Sequence, residues 1–240
     1  MKSFKKCLIL GMVMVFSMLL IMGCEAEKTA ESEGSTSSIY SDPKGYFEIL
    51  PPSGWRIKEY RDDPRGKVAF IAPGDKIDLR VLVAAVDIPD YDGLLSNLKD
   101  IEKQLGISMN IEPAVFNDMP AFKRMATVTM QGVTQKFIWI DLLIDGMSHN
   151  IQYGGAPNAF DKHYETAWQS MLTYKPITQE EPASPEEIRK HIAAKWIRLA
   201  TIAIEMNNIQ AAKDAVSAGL EADPENDELQ QLRSELEGRK

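Results

Sequence analysis

Residues 45–60 read Gly45-Tyr46-Phe47-Glu48-Ile49-Leu50-Pro51-Pro52-Ser53-Gly54-Trp55-Arg56-Ile57-Lys58-Glu59-Tyr60. Tyr46 to Leu50 has the composition of a short strand, and Pro51-Pro52 end it because proline has no backbone N–H to give to a ladder. Ser53-Gly54 make a turn. From Trp55 to Tyr60 apolar and polar side chains alternate, the period of a strand with one buried face. A chain that opens in this way is building an antiparallel sheet from short, hairpin-joined strands.

The same punctuation continues outward. Asp62-Asp63-Pro64-Arg65-Gly66 is a turn, residues 67–72 a strand, and Pro73-Gly74-Asp75 its end. Residues 79–86 (LRVLVAAV) are mostly apolar, which predicts a central strand buried on both faces. Pro89-Asp90-Tyr91-Asp92 opens a helix whose Leu94, Leu95, Leu98, Ile101 and Leu105 share one side, and Gly106 ends it. Strands are predicted over 107–116, 121–131, 134–144 and 148–153, with Gln131-Gly132 and Asp145-Gly146 as hairpin turns. Residues 160–174 predict a closing helix with Phe160, Tyr164, Ala167, Trp168, Met171 and Leu172 on one side. The fold class is therefore α+β: one antiparallel sheet with flanking helices, spanning 41–176.

This order of elements resembles the PsbP-like superfamily, named for an extrinsic subunit of the oxygen-evolving photosystem. The residues that carry the resemblance are Gly45 to Ile49 with Pro51-Pro52-Ser53-Gly54-Trp55, then Met119-Pro120-Ala121, Gly146, and the Phe160, Trp168 and Leu172 helix. In that superfamily these positions serve core formation, so the resemblance implies a fold and transfers no functional residue. The plant subunit's functional N-terminal segment has no counterpart here.

Residues 177–184 form a linker to a second unit at 185–240. Ser184 is a predicted N-cap, with Pro185 at the first helical position and Glu187 completing a capping box. Beyond it Trp196, Leu199, Ala200, Ala203, Ala212, Val216 and Pro224 fall at the spacings of one tetratricopeptide repeat, Trp196 and Pro224 being 28 residues apart. The resemblance implies a helical hairpin in which large side chains fill the gap and alanines let the backbones approach. Asp223-Pro224 is expected to start an extra third helix carrying Leu229, Leu232 and Leu236. A single repeat has to cover its apolar face with the third helix, the sheet domain or another chain.

At the other end, Lys2, Lys5 and Lys6 precede an apolar run of 16 residues from Cys7 to Met22, followed by Gly23-Cys24. A cationic start, an apolar middle and a small residue before a cleavage point make a secretory signal, and the run is short for a membrane span of about 20 residues. Leu20-Ile21-Met22-Gly23-Cys24 resembles the lipobox of bacterial lipoproteins. That resemblance implies cleavage between Gly23 and Cys24 and a diacylglyceryl thioether on Cys24. Residues 1–23 are then a signal peptide, and 24–40, polar and acidic, a disordered acylated tether. The expected location is the cell membrane or outer membrane, facing away from the cytoplasm.

Composition narrows the function. The only two cysteines are Cys7 and Cys24, so no cysteine nucleophile, thiolate metal site or disulfide is expected in the mature chain. Loss of residues 1–23 removes three lysines and no acid, taking the formal charge from −8 to −11. Such a surface repels phosphate backbones and anionic head groups, so nucleic acid is not an expected partner and the lipid must hold the chain to the membrane.

No catalytic or metal constellation stands out, and no cofactor is expected. His149, His163 and His191 lack metal-ligand spacing. Asp87, Asp90 and Asp92 before Gly93 suggest a cation loop, but Ile88 and Lys99 occupy the end positions of the EF-hand pattern, so a helix cap explains them better. Gly154-Gly155 lack the rest of a phosphate loop and read as a turn. Trp55, Trp139, Trp168 and Trp196 read as core. A second reading, kept beside the core one, puts either Phe137 or Trp139 on a less buried face, where an apolar groove would form a binding site. The expected function is a non-enzymatic envelope protein that binds or assembles another envelope protein. The alternative is a small-ligand or cation-binding lipoprotein using the open sheet face or the 87–92 loop.

Overall fold

Alternating side chains and paired positive-φ turns shape most of the chain. The computed structural model describes residues 31–32, 38–61, 63, 65–74, 76–177 and 185–238. The strands are β1 (Glu31–Ser32), β2 (Tyr40–Ser41), β3 (Phe47–Ile49), β4 (Arg56–Glu59), β5 (Gly66–Ile71), β6 (Ile77–Ala85), β7 (Asn110–Phe116), β8 (Met119–Met130), β9 (Val133–Ile144), β10 (Met147–Gly155) and β11 (Lys175–Pro176). The helices are α1 (Tyr91–Leu105), α2 (Pro157–Met171), α3 (Pro185–Glu205), α4 (Ile209–Ala222) and α5 (Asp227–Glu237).

Among the described residues eight strands form one antiparallel sheet in the order β1-β4-β5-β6-β10-β9-β8-β7. A second sheet has the order β11-β3-β2. The expected single sheet is thus two, because β3 pairs with β11 and β2 instead of β4, with the Phe47 and Tyr174 rings stacked 5.6 Å apart. Glu31 and Ser32, inside the segment expected as a tether, pair with Lys58 and Ile57 of β4. The signal peptide, the Gly23–Cys24 junction and the Ser184 cap lie outside the described residues.

Three tight turns join β7 to β8, β8 to β9 and β9 to β10. Each has φ > 0 at both central residues: Asn117 and Asp118, Gln131 and Gly132, Asp145 and Gly146. That is the type I′ geometry whose twist matches a hairpin. The Asn117-Asp118 turn lacks glycine, which is why the sequence alone joined its strands less sharply.

The sheet's first face holds the larger core. Val68, Phe70, Leu79, Val81, Val83, Ile138, Ile140 and Ile151 meet α2 through Phe160, Ala167 and Met171. β6 is central in the sheet, yet its burial alternates strictly from Ile77 to Ala84, so the expected two-sided burial is corrected: Ile77, Leu79, Val81 and Val83 face this core and the residues between them do not. Gly154 and Gly155 are corrected too. They continue β10 opposite Phe137 and Lys136, and a Cβ on Gly154 would stand 2.1 Å from the Phe137 ring. Glycine is needed there so that the ring can lie across the strand.

The second face carries Phe122, Arg124, Phe137, Trp139 and Asp141. Phe137 and Trp139 are two residues apart, so they share this face; both are buried and their rings stack at 5.2 Å. The core reading of Trp139 therefore holds, and neither ring lies on a less buried face. Beside them Arg124 donates from Nε and Nη2 to Asp141 at 2.6 and 3.0 Å, and Asn150 Nδ2 donates to the same carboxylate at 2.7 Å.

The helical unit closes the rest of this face. One continuous cluster contains Tyr91, Leu94, Leu98 and Ile101 of α1, Phe122 and Leu143 of the sheet, and Trp196, Leu199, Ala200, Ala203, Ala212 and Val216 of the helices. The seven residues singled out for the hairpin therefore divide: six are buried, and Pro224 is exposed in the turn before α5. The third helix starts at Asp227, not at Asp223-Pro224, because Asn226 caps it by accepting from Leu229 N at 3.1 Å. Gly219, which sequence reasoning passed over, faces both neighbours: a Cβ there would lie 2.8 Å from Leu229 and 2.9 Å from Trp196. No helix among the described residues is long and apolar enough to cross a membrane.

Candidate interaction groove

Among the described residues β7 is the last strand of the eight-stranded sheet and pairs only with β8. The two-residue turn makes Phe116 and Met119 the first hydrogen-bonded pair, and bonded and non-bonded pairs then alternate. Pro113 opposite Phe122 and Pro120 opposite Val115 both fall at non-bonded positions. Proline costs the ladder nothing there, which is the reason this sequence tolerates it. It follows that the N–H of Val115 and the carbonyls of Pro113 and Val115 point out from the edge. Among the described residues no hydrogen bond reaches them.

A groove of about 590 Å³ runs along this edge. One wall is α4, presenting Asp214, Ser217 and Glu221. The other is built on the opposite face of the sheet by Lys123 and Trp168. Trp168, expected in the core, is half-buried: Tyr164 stacks on it at 6.1 Å and Phe116 meets it edge-on at 6.1 Å. These contacts hold the indole as a fixed wall, with the Lys123 ammonium 6.0 Å from its ring. Glu112 accepts from Asn110 at 2.5 Å and Asp214 from Gln210 at 2.7 Å, which orients both carboxylates. The groove needs both units, since the edge belongs to the sheet and one wall to the helices.

The other candidates resolve differently. Asp90 caps α1 by accepting from Gly93 N at 2.9 Å, and Asp92 is held in a two-point ion pair by Nε and Nη2 of Arg198 on α3. Among the described residues no three His, Cys, Asp or Glu side chains are grouped to hold a metal. His149 and His163 are not brought together. His149 Nδ1 shares a 2.5 Å hydrogen bond with the Tyr174 hydroxyl, and burial pushes its pKa down to about 4 while raising that of Tyr174. His163 stands edge-on to Trp55 at 5.7 Å. The side chain of His191, like Cys24, lies outside the described residues.

No protein-family model and no curated protein matches this chain. Solved structures do. A Bacteroides thetaiotaomicron protein is 12% identical over 81% of this chain and 80% of its own, with a TM-score of 0.42. LpqN of Mycobacterium tuberculosis, involved in cell envelope biogenesis, is 11% identical over 63% of this chain and 92% of its own, with a TM-score of 0.40. Cyanobacterial PsbP (CyanoP) from Synechocystis is 13% identical over 64% of this chain and 97% of its own, with a TM-score of 0.34.

Proposed function

We propose that this chain is a non-enzymatic, lipid-anchored envelope protein that binds another envelope protein. On this reading Cys24 carries the acyl chains after cleavage at Gly23, and residues 24–40 lead from that anchor to a PsbP-like domain (41–176), meeting its sheet already at Glu31 and Ser32. A linker (177–184) then leads to a tetratricopeptide-type unit (185–240), and the site lies outside the cytoplasm at the cell or outer membrane. The lipobox-like Leu20-Ile21-Met22-Gly23-Cys24 supports the anchor, and the −8 formal charge argues against nucleic acid.

The observation that carries the binding function is the groove along β7, an open sheet edge flanked by a rigid indole and a helix from the second unit. A catalyst needs convergent titratable groups in a pocket. Here the strongly shifted histidine is instead sealed against Tyr174 within the core.

The test is site-specific photocrosslinking in native membranes. A photoreactive side chain in place of Ser217, in the groove, is expected to yield a discrete protein adduct, and one in place of exposed Ser96 on α1 none. Equal labelling from both positions, or none from Ser217, sinks the proposal. Cys24→Ser is expected to move the protein from the membrane to the soluble fraction.

A further inference from the structure

Resting on that protein-binding reading, we infer how the partner binds. The β7 groove takes an extended segment of the partner as an added strand, and that segment carries lysine or arginine at alternate positions.

The backbone argument comes first. An open edge with outward N–H and C=O groups is a template for one more strand. Pro113 deletes one outward donor and so limits indiscriminate pairing, yet Val115 N–H and the carbonyls of Pro113 and Val115 remain in register for a guest. Alternation then sets the side chains. Successive residues of an added strand point to opposite faces of the sheet. One set would meet α4 with Asp214 and Glu221, and the other would meet Trp168 and Lys123. Along the groove stand four carboxylates, Glu112, Asp118, Asp214 and Glu221, against the single ammonium of Lys123. Electrostatic complementarity selects a cationic guest, and the indole wall selects apolar residues between the cations. A second copy of this acidic chain offers the wrong charge.

The probe is a peptide as long as β7, 7 residues, with lysine and valine alternating, added to the folded full chain. Binding is expected to slow amide exchange at Val115, and to weaken as salt is raised. The same peptide with glutamate for lysine, and one N-methylated on alternate backbone nitrogens, are expected to bind at least about tenfold more weakly, a 1.4 kcal/mol difference. So is the lysine peptide toward the double variant Asp214→Lys, Glu221→Lys, whose exposed positions leave the fold unchanged by circular dichroism. Equal affinity of the N-methylated peptide rules out strand addition. Equal affinity of the glutamate peptide rules out charge selection, and no protection at Val115 rules out the site. A Ser217 crosslink without Val115 protection overturns this binding mode and leaves protein binding standing. Val115 protection without any Ser217 adduct in membranes does the reverse.

Discussion

Arg198 on α3 grips both carboxylate oxygens of Asp92 in the first turn of α1, joining the helical unit to the sheet domain across 106 residues of sequence. The pair is 39% and 44% exposed, so water and salt screen it and its contribution is small, about 0.5 kcal/mol. Adhesion comes from the apolar cluster around it. Arg198→Ala is expected to lower stability by less than about 1 kcal/mol, whereas Leu199→Ala, with no exposed surface to begin with, should cost about 2–5 kcal/mol. Because the cluster spans both units, tryptophan fluorescence and far-ultraviolet circular dichroism should report one shared unfolding transition. Two separated transitions would contradict a common core.

Gly219 sits inside α4, where alanine would ordinarily favour the helix by about 1 kcal/mol. The Cβ it lacks would stand under 3 Å from Leu229 and Trp196, so the sign reverses. Gly219→Ala is expected to destabilise by about 1–3 kcal/mol as α5 is pushed off, read from the urea midpoint. A gain in stability would mean that the three helices are looser than described.

Removing one member of the buried pair Arg124 and Asp141 leaves a charge without its counter-ion. The two side chains are 2% and 0% exposed, so either Arg124→Met or Asp141→Leu alone should cost about 3–5 kcal/mol. The double substitution should recover much of that loss. A double-mutant cycle decides it, and purely additive losses would show that the two residues are not coupled.

His149 makes stability depend on pH. Its folded pKa of about 4 lies below the ordinary 6.5, because burial disfavours the imidazolium. The unfolded chain therefore binds the proton first. This contribution is fully present above pH 6.5 and is lost as pH falls through about 4, roughly 2 kcal/mol of it by pH 5. Comparing His149→Phe with the parent at pH 7.5 and pH 5 isolates this share from the carboxylates. A variant whose stability falls just as steeply would assign the slope elsewhere.

Local patterns were legible where a side chain's role is set by its neighbours in sequence. The Asp145-Gly146 turn and the leucine face of α1 appear as read, because turn geometry and helical period are local. The errors share one cause. Gly154-Gly155 looks like a turn until Phe137 of the neighbouring strand lies over it. Pro224 looks like a helix start, but Asn226 offers the better cap. Residues 79–86 look buried on both faces, but the burial of β6 alternates.

The sequence by itself determined the α+β class, the order of the longer strands and helices, and the expectation of an acylated Cys24. These rest on period, turn chemistry and a contiguous N-terminal pattern, none of which needs contact between distant residues. Only the tertiary structure decided that the helical unit docks on its own sheet domain, with Trp196 and Phe122 in one core. It alone also made β7 an edge strand whose outer hydrogen-bonding groups face a groove walled by Trp168 and α4. The physical reason is that an edge is defined by which strand is missing beside it, and a wall by a side chain brought from elsewhere in the chain. Neither is a property of any single stretch of residues.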